Sequence, residues 1–477
     1  MNFNSLHFAL FVTLLFCIYW FLLKNKLKGQ NILILLASYF FYSCWDYRFL
    51  ALIIFSCLLD YFSGLQIAKT ENKRTKKTWL IVSIGINLGF LGVFKYYNFF
   101  AESLVELSSN LGFKLNLSTL NLILPIGISF YTFHGLSYII DIYNNKIKEE
   151  KNFINYSVFV CFFPLLVAGP IERASHLLPQ ITNKRTFDYT QAANGLRQIL
   201  WGLFKKIVIA DNCAEYVDLV FSNSSAYPGS ALLMASVLFS IQIYCDFSGY
   251  SDIALGVSKL FGFELKRNFA YPYFSKNITD FWKRWHISLT SWFKDYVYIP
   301  LGGSRNGLLV KIRNVLFIFI LSGFWHGANW TFFFWGLMHA LLYIYELLME
   351  QQLKLQKFLE KKLISYFKII YTFGLVTLAW ILFRSKNMAQ AKEIYGKIFS
   401  KSIFESLQFS EQGPTNLLFC IIFLFFLLEW LGKKEQFALE NMEQRWISPF
   451  KQVIYAAILI AIIFLGGKDH QYIYFQF

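Results

Sequence analysis

Charge is scarce in this chain. Only 16% of its 477 residues are Asp, Glu, Lys or Arg, where a soluble domain averages about 25%. That shortage excludes an ordinary soluble domain. Paired cysteines are missing too: Cys17, Cys44, Cys57, Cys161, Cys213, Cys245 and Cys420 form no CxxC spacing, and most lie in apolar runs. They read as small packing residues, not as a disulfide frame or a metal cage. The chain contains no Walker loop, no dinucleotide fingerprint, no HExxH and no GxSxG elbow, so the chemistries those motifs carry are not indicated. No positive region precedes the first apolar run, whose lysines follow it; a retained first helix is expected, not a cleaved signal. There is no internal repeat and no low-complexity tract.

Hydrophobic residues make up 56% of the chain and aromatics 20%. Apolar runs approaching the roughly 20 residues of a spanning helix continue from end to end. The expected fold class is all-α: one polytopic bundle of about 11–12 transmembrane helices over residues 1–477. The net charge of +16 fits basic cytoplasmic loops against anionic lipid better than nucleic-acid binding, which is not expected.

Taken in order, the first span (about 7–23) precedes Lys24, Lys26 and Lys28. The positive-inside rule then puts the N-terminus outside. Two more spans (31–44 and 48–67) lead to Lys73, Arg74, Lys76 and Lys77, again cytosolic. Asp60, late in the third span, reads as a polar packing residue. A span at 78–99 precedes an outer loop at 101–118. The next, at 120–143, carries Pro125, Gly127 and Gly135 and is expected to kink. The run 153–170 has basic flanks on both sides, so it is a re-entrant candidate expected to line a cavity open to the cytosol. A further span at 193–210 leads to a long one at 230–260. Within the latter, Asp246 and Asp252 lie six residues apart, about 240° around a helix, so they share no face. Helix pairing or orientation of a polar cavity suits them better than paired carboxylate catalysis.

Residues 264–313 hold nine basic residues against Glu264, Asp280 and Asp295, the largest expected cytosolic segment. Trp282, Trp285, Leu289 and Trp292 fall on one helical stripe, as in a helix lying in the membrane interface with Lys283 and Lys294 outward. His286 is about 40° from that stripe and is expected at the headgroup boundary. A short span (312–325) is followed at once by another (329–347), which leaves His326 in a tight turn beside Gly323, Gly327 and Asn329. The segment 350–364 reads as amphipathic and cytosolic. Spans at 366–384, 415–432 and 452–467 follow, with 385–413 outside by parity and the C-terminus outside.

An ionisable side chain at membrane depth is costly and points to function. A neutral imidazole at His326 suits a general base. With a thioester donor, whose thiolate leaves readily, the reaction chiefly needs deprotonation of the attacking hydroxyl and alignment. From spacing alone, a hydrogen-bonded structural histidine between helices is equally open. His286 suits shaping of the site more than proton transfer, and His339 suits packing or a polar contact. Asp246, Ser248, Trp285, Trp325, Asn329 and Trp330 are the candidates for substrate or tunnel contacts, and no metal set is apparent.

The motifs KYYNFF (95–100), LPIGISFYTFH (124–134), FFPLLVAGPIER (162–173) and YCDFSGYSDIALG (244–256) continue into FWKRWHISLTSWFKDYVYIPLGGSR (281–305), SGFWHGANWTFFFWGLMH (322–339) and YIYFQF (472–477). In that order, and over essentially the whole chain, they resemble the membrane-bound O-acyltransferase family, most of all its bacterial branch of alginate O-acetyltransferase membrane proteins. The resemblance implies that His326 is the catalytic histidine and His286 the second signature histidine. It implies a central tunnel, a catalytic helix hairpin at 312–347 and acetyl-CoA as cytosolic donor, with no bound cofactor. It further implies an extracytoplasmic SGNH-type partner, a cell-envelope polysaccharide as acceptor, and a place in the bacterial inner membrane. D-alanyl transfer to teichoic acid from a carrier protein is the alternative within the family. From other classes, a transporter of polysaccharide or lipid-linked substrate and a non-catalytic scaffold for envelope assembly stay open.

Overall fold

The computed structural model describes residues 1–120, 122–167, 169–352, 362–406, 415–441, 448–468 and 470–473. No strand occurs among them. Among the described residues six helical stretches are long and apolar enough to cross a membrane: Leu27–Lys69, Lys73–Asn110, Gly229–Leu260, Leu308–His326, Trp330–Met349 and Ile364–Arg384. Leu6–Leu22, Asn416–Gly432 and Pro449–Phe464 are shorter apolar helices. Leu6, Leu10 and Leu14 are exposed at i, i+4, i+8 while Phe8, Val12 and Leu15 are buried. One apolar face therefore packs on protein and the other is left for lipid, since no water-facing helix would carry it. The expected helix at 350–364 falls largely outside the described residues.

The chain divides into two compact units. The first comprises Met1–Gly195 with Ala254–Lys266. Its helices are fastened by buried polar contacts, as low-dielectric packing demands. Asp60 on Leu50–Lys69 accepts from Ser83 Oγ at 2.5 Å and Asn87 Nδ2 at 2.8 Å, both on Lys73–Leu91. Gly135 lies so close that a Cβ there would overlap the Asp60 carboxylate. The expected outer loop at 101–118 begins instead as helix: Lys73–Leu91 passes through a π-helical turn at Gly92–Tyr96 into Tyr97–Asn110. The wider turn lets the chain stay helical across KYY, where composition alone suggested an end. The expected span at 120–143 is helical only from Ile128, after Gly127 at φ +74°. No side chain fits at Gly127, because its Cβ would strike the Leu166 carbonyl oxygen.

The run 153–170 forms two short helices, Phe153–Cys161 and Phe163–Val167, with Phe159, Phe162 and Leu165 fully buried. The following loop is held by Glu172. Its Oε2 meets His176 Nδ1 at 2.8 Å, its Oε1 accepts from the Lys266 amide at 2.6 Å, and its own amide donates to His134 Nε2 at 3.1 Å. A buried carboxylate so surrounded keeps non-helical backbone in place.

The second unit comprises Leu196–Ile253 with Arg267–Phe477. Adjacent lysines in the π-helical segment Phe204–Ala210 take the two aspartates of Gly229–Leu260 apart from one another. Lys205 Nζ meets Asp252 Oδ2 at 2.6 Å, and Lys206 Nζ meets Asp246 Oδ1 at 2.8 Å and Asp211 Oδ1 at 2.7 Å. Leu308–His326 and Trp330–Gln352 form a tight antiparallel hairpin. Glycines permit it: a Cβ at Gly323 would strike the Phe332 carbonyl, and one at Gly336 the Phe319 carbonyl.

Candidate active site

The sequence stripe Trp282, Trp285, Leu289 and Trp292 does not lie on one helix. The chain forms Ile278–Arg284, breaks, and restarts as Ile287–Phe293. The break is at His286, whose φ of 44° and ψ of 54° are left-handed, a conformation that a bulky L-residue adopts only when its surroundings over-determine it. Here they do. The Ile287 amide donates to Asn268 O at 2.9 Å, Ser288 Oγ donates to Asn268 Oδ1 at 2.6 Å, and the Ala270 amide donates to Arg284 O at 3.0 Å. The turn re-aims all four stripe residues inward. Trp282, Trp285, Leu289 and Trp292 are buried, so the expected interfacial helix with indoles in lipid is replaced by two short helices packed on protein. His286 is likewise 1% exposed rather than at a headgroup boundary.

His326 is the last residue of Leu308–His326, and Gly327 follows in extended conformation. It therefore sits at a helix end, not free in a turn. The two histidine rings lie 6.4 Å apart by centroids. Around His326 stand Trp325 at 4.9 Å, Trp335 at 5.1 Å and Phe383 at 5.3 Å, and against His286 stand Phe247 at 4.8 Å and Trp325 at 5.9 Å. Both imidazoles are thus held in an aromatic surround that fixes ring orientation and thins out water.

The other expected contacts are placed as follows. Trp325 packs against both histidines. Trp285 is buried against Phe269 at 5.0 Å and Trp380 at 5.0 Å. Asp246 is held by Lys206 and by the Ile473 amide at 2.7 Å, and Ser248 Oγ accepts from Lys205 Nζ at 2.8 Å. Asn329 serves backbone: Oδ1 accepts from the Thr331 amide at 3.0 Å and Nδ2 donates to Lys386 O at 3.0 Å. Trp330 is 44% exposed beside Phe333. Trp335, Phe247 and Phe383 were not singled out from sequence. Trp335 could have been found, since it precedes His339 by one helical turn, whereas Phe247 and Phe383 reach the site only through tertiary packing. Among the described residues no three His, Cys, Asp or Glu side chains gather as metal ligands would.

A cavity of about 320 Å³, which neither histidine lines, is walled by Trp282, Leu289, Phe293, Phe319 and Tyr343, with Ser322 one turn from His326 on its wall and Lys283 and Lys294 at its rim. Both lysines are exposed. A largely apolar cavity with cationic side chains at its rim suits a chain-like ligand carrying an anionic end.

Burial pushes the His286 imidazole down from its ordinary 6.5 to about 3, so it is neutral at pH 7. In the unfolded chain it takes up a proton near pH 6.5. Stability is therefore full above that pH and declines as pH falls from 6.5 toward 3, by on the order of 1 kcal/mol per unit. His286→Gln is expected to lose less thermal stability between pH 7.5 and 5 than the unmodified protein. Equal losses in both would show that this imidazole does not stay unprotonated on folding.

Residues 143–384 match the MBOAT, membrane-bound O-acyltransferase family. The "Probable alginate O-acetylase AlgI" of Pseudomonas putida is 39% identical over 396 residues, 82% of this chain and 79% of that protein. The "Peptidoglycan O-acetyltransferase" of Helicobacter pylori is 33% identical over 497 aligned positions, 95% of this chain and 92% of that protein. The "Teichoic acid D-alanyltransferase" of Bacillus subtilis is 30% identical over 280 residues, 56% of this chain and 70% of that protein.

Proposed function

This chain belongs to the membrane-bound O-acyltransferase family, and from that premise we propose that it carries an acetyl group from cytosolic acetyl-CoA to an exported cell-envelope polysaccharide, with His326 as general base. It is a multi-pass membrane O-acyltransferase. The finer reading places it in the bacterial inner membrane with both termini outside, handing acetyl to an SGNH-type extracytoplasmic partner.

The observation that carries the reading is the meeting of His326 and His286 in one buried aromatic site, on the same helices that wall a cavity rimmed by Lys283 and Lys294. The acceptor hydroxyl gives its proton to the His326 imidazole as its oxygen bonds to the thioester carbonyl carbon. The C–S bond then breaks, and the departing thiolate takes that proton from the His326 imidazolium, which returns to its neutral form. His286, neutral and fixed by its turn, positions Trp325 and the base. Lys283 and Lys294 meet the donor's phosphates, where exposed ammonium groups retain hydration and still attract charge. Acetyl transfer is favoured over D-alanyl transfer because the relatives named for O-acetylation align over 82% and 95% of the chain, and the named D-alanyltransferase over 56%.

Reconstitution in sealed vesicles tests this. Labelled acetyl-CoA supplied at the cytosolic face is expected to lose its label to polysaccharide or partner protein on the other face. Label that moves only from a D-alanyl carrier protein, or from no thioester at all, would replace this reading with the carrier-dependent or the transport one.

A further inference from the structure

Three side chains at and behind the cavity wall have no place in the chemistry above. His339 is fully buried, and neither of its ring nitrogens has a hydrogen-bond partner among the described residues. Its ring lies 5.0 Å from Trp282 and 5.0 Å from Trp335, and those two indoles are 5.8 Å from each other. Both indole N–H groups are likewise buried without a partner among the described residues. Native interiors pair such groups, and each exception calls for an explanation. Here they occur in three mutually touching rings.

Their location narrows the explanation. Trp282 forms part of the cavity wall, as does Phe319, which stacks on His339 at 6.4 Å. On the far side, Trp335 touches His326 at 5.1 Å. The three rings therefore form a chain of contacts from the cavity wall at Trp282 to the catalytic imidazole. An indole N–H only donates, and a neutral imidazole has one donor and one acceptor. The set offers three donors and one acceptor and no charge, a pattern that an amide or thioester carbonyl matches and a phosphate does not.

We infer that Trp282, Trp335 and His339 form a neutral hydrogen-bonding station for the amide-bearing thiol arm of the acyl donor, drawing its carbonyl oxygens toward His326. The inference rests on the thioester-donor reading and names a recognition element within it. His339 is here a specificity-determining residue, with no part in the proton transfer.

Two small donors separate the possibilities. S-acetyl-N-acetylcysteamine carries a thioester and one amide, and S-ethyl thioacetate carries the thioester alone. The unmodified protein is expected to prefer the first by about tenfold in kcat/KM, roughly the worth of one neutral hydrogen bond. His339→Phe keeps the aromatic volume and removes both nitrogens, and its preference is expected to fall to near unity through KM. His339→Gln, which again donates and accepts, is expected to restore part of it. Should His339→Phe fail to fold, Trp282→Phe at the cavity wall carries the same comparison. An undiminished preference in the variants, or a loss in kcat alone that glutamine does not rescue, would overturn the inference. Binding of N-acetylcysteamine, followed by tryptophan fluorescence, keeps the two readings apart. Binding that His339→Phe weakens, in a protein that turns over no thioester, would leave the station standing and remove the donor reading.

Discussion

Replacing His326 with glutamine is expected to lower acetyl transfer by about 10²–10⁴-fold, the contribution of a positioned general base, while the helix hairpin stays folded. Glutamine is the informative choice. The imidazole is 4% exposed and touches Trp325, Trp335 and Phe383, so alanine would leave a void among large rings and lower stability by about 2–5 kcal/mol through packing alone. A loss of rate in alanine would then have two explanations. Glutamine fills most of the space and keeps a polar end but cannot take up a proton near neutral pH. The loss should fall on kcat with little change in KM for the donor, because the base acts only as the proton moves. Labelled acetyl-CoA turnover in vesicles, with thermal unfolding measured on the same preparations, separates the two effects. A glutamine variant as fast as the unmodified protein would take His326 out of the chemistry and leave it as a structural histidine at a helix end.

The two histidines were legible in the sequence because polar groups in apolar runs are conspicuous, and the glycines beside His326 signalled a close approach. What surrounds them was not. A single continuous helix through 282–292 would place His286 at the interface. Its left-handed backbone is imposed by Asn268 and Ala270, residues outside the stripe, so no periodicity within the stripe could reveal the break. Asp246 and Asp252 show the reverse case. Their spacing alone excludes a carboxylate pair, and the structure has them on two different lysines. Which lysine takes which aspartate is set by how Phe204–Ala210 packs on Gly229–Leu260, and such packing has no pattern in composition. The fold class is readable from the scarcity of charge together with apolar runs of spanning length; short helices such as Phe163–Val167 are not, because their boundaries are set by tertiary contacts.

Replacing Lys206 with methionine is expected to be the most destabilising single change outside the histidines, by about 3–5 kcal/mol. The ammonium is buried and lies between two buried carboxylates, Asp211 at 2.7 Å and Asp246 at 2.8 Å. Methionine keeps the length and removes the charge, so two anions remain close together without their shared cation. The effect does not stop there. Lys206 Nζ also donates to His470 O at 2.9 Å, and Asp246 Oδ2 accepts from the Ile473 amide at 2.7 Å, so the same cluster fastens the C-terminal segment. Tyr472 of that segment packs on Tyr250 at 4.4 Å and on Phe247 at 6.1 Å, and Phe247 lies 4.8 Å from His286. Loss of the cluster is therefore expected to lower acetyl transfer as well as melting temperature. The double variant Lys206→Met with Asp246→Asn removes one of the stranded charges and should recover part of the stability lost. The neighbouring cation makes the comparison sharper. Lys205 serves Asp252 and Ser248, so Lys205→Met strands one partly exposed carboxylate and is expected to cost less. A Lys206→Met protein that melts with the unmodified one would show that the cluster contributes nothing net, its attraction cancelled by the desolvation of three buried ions.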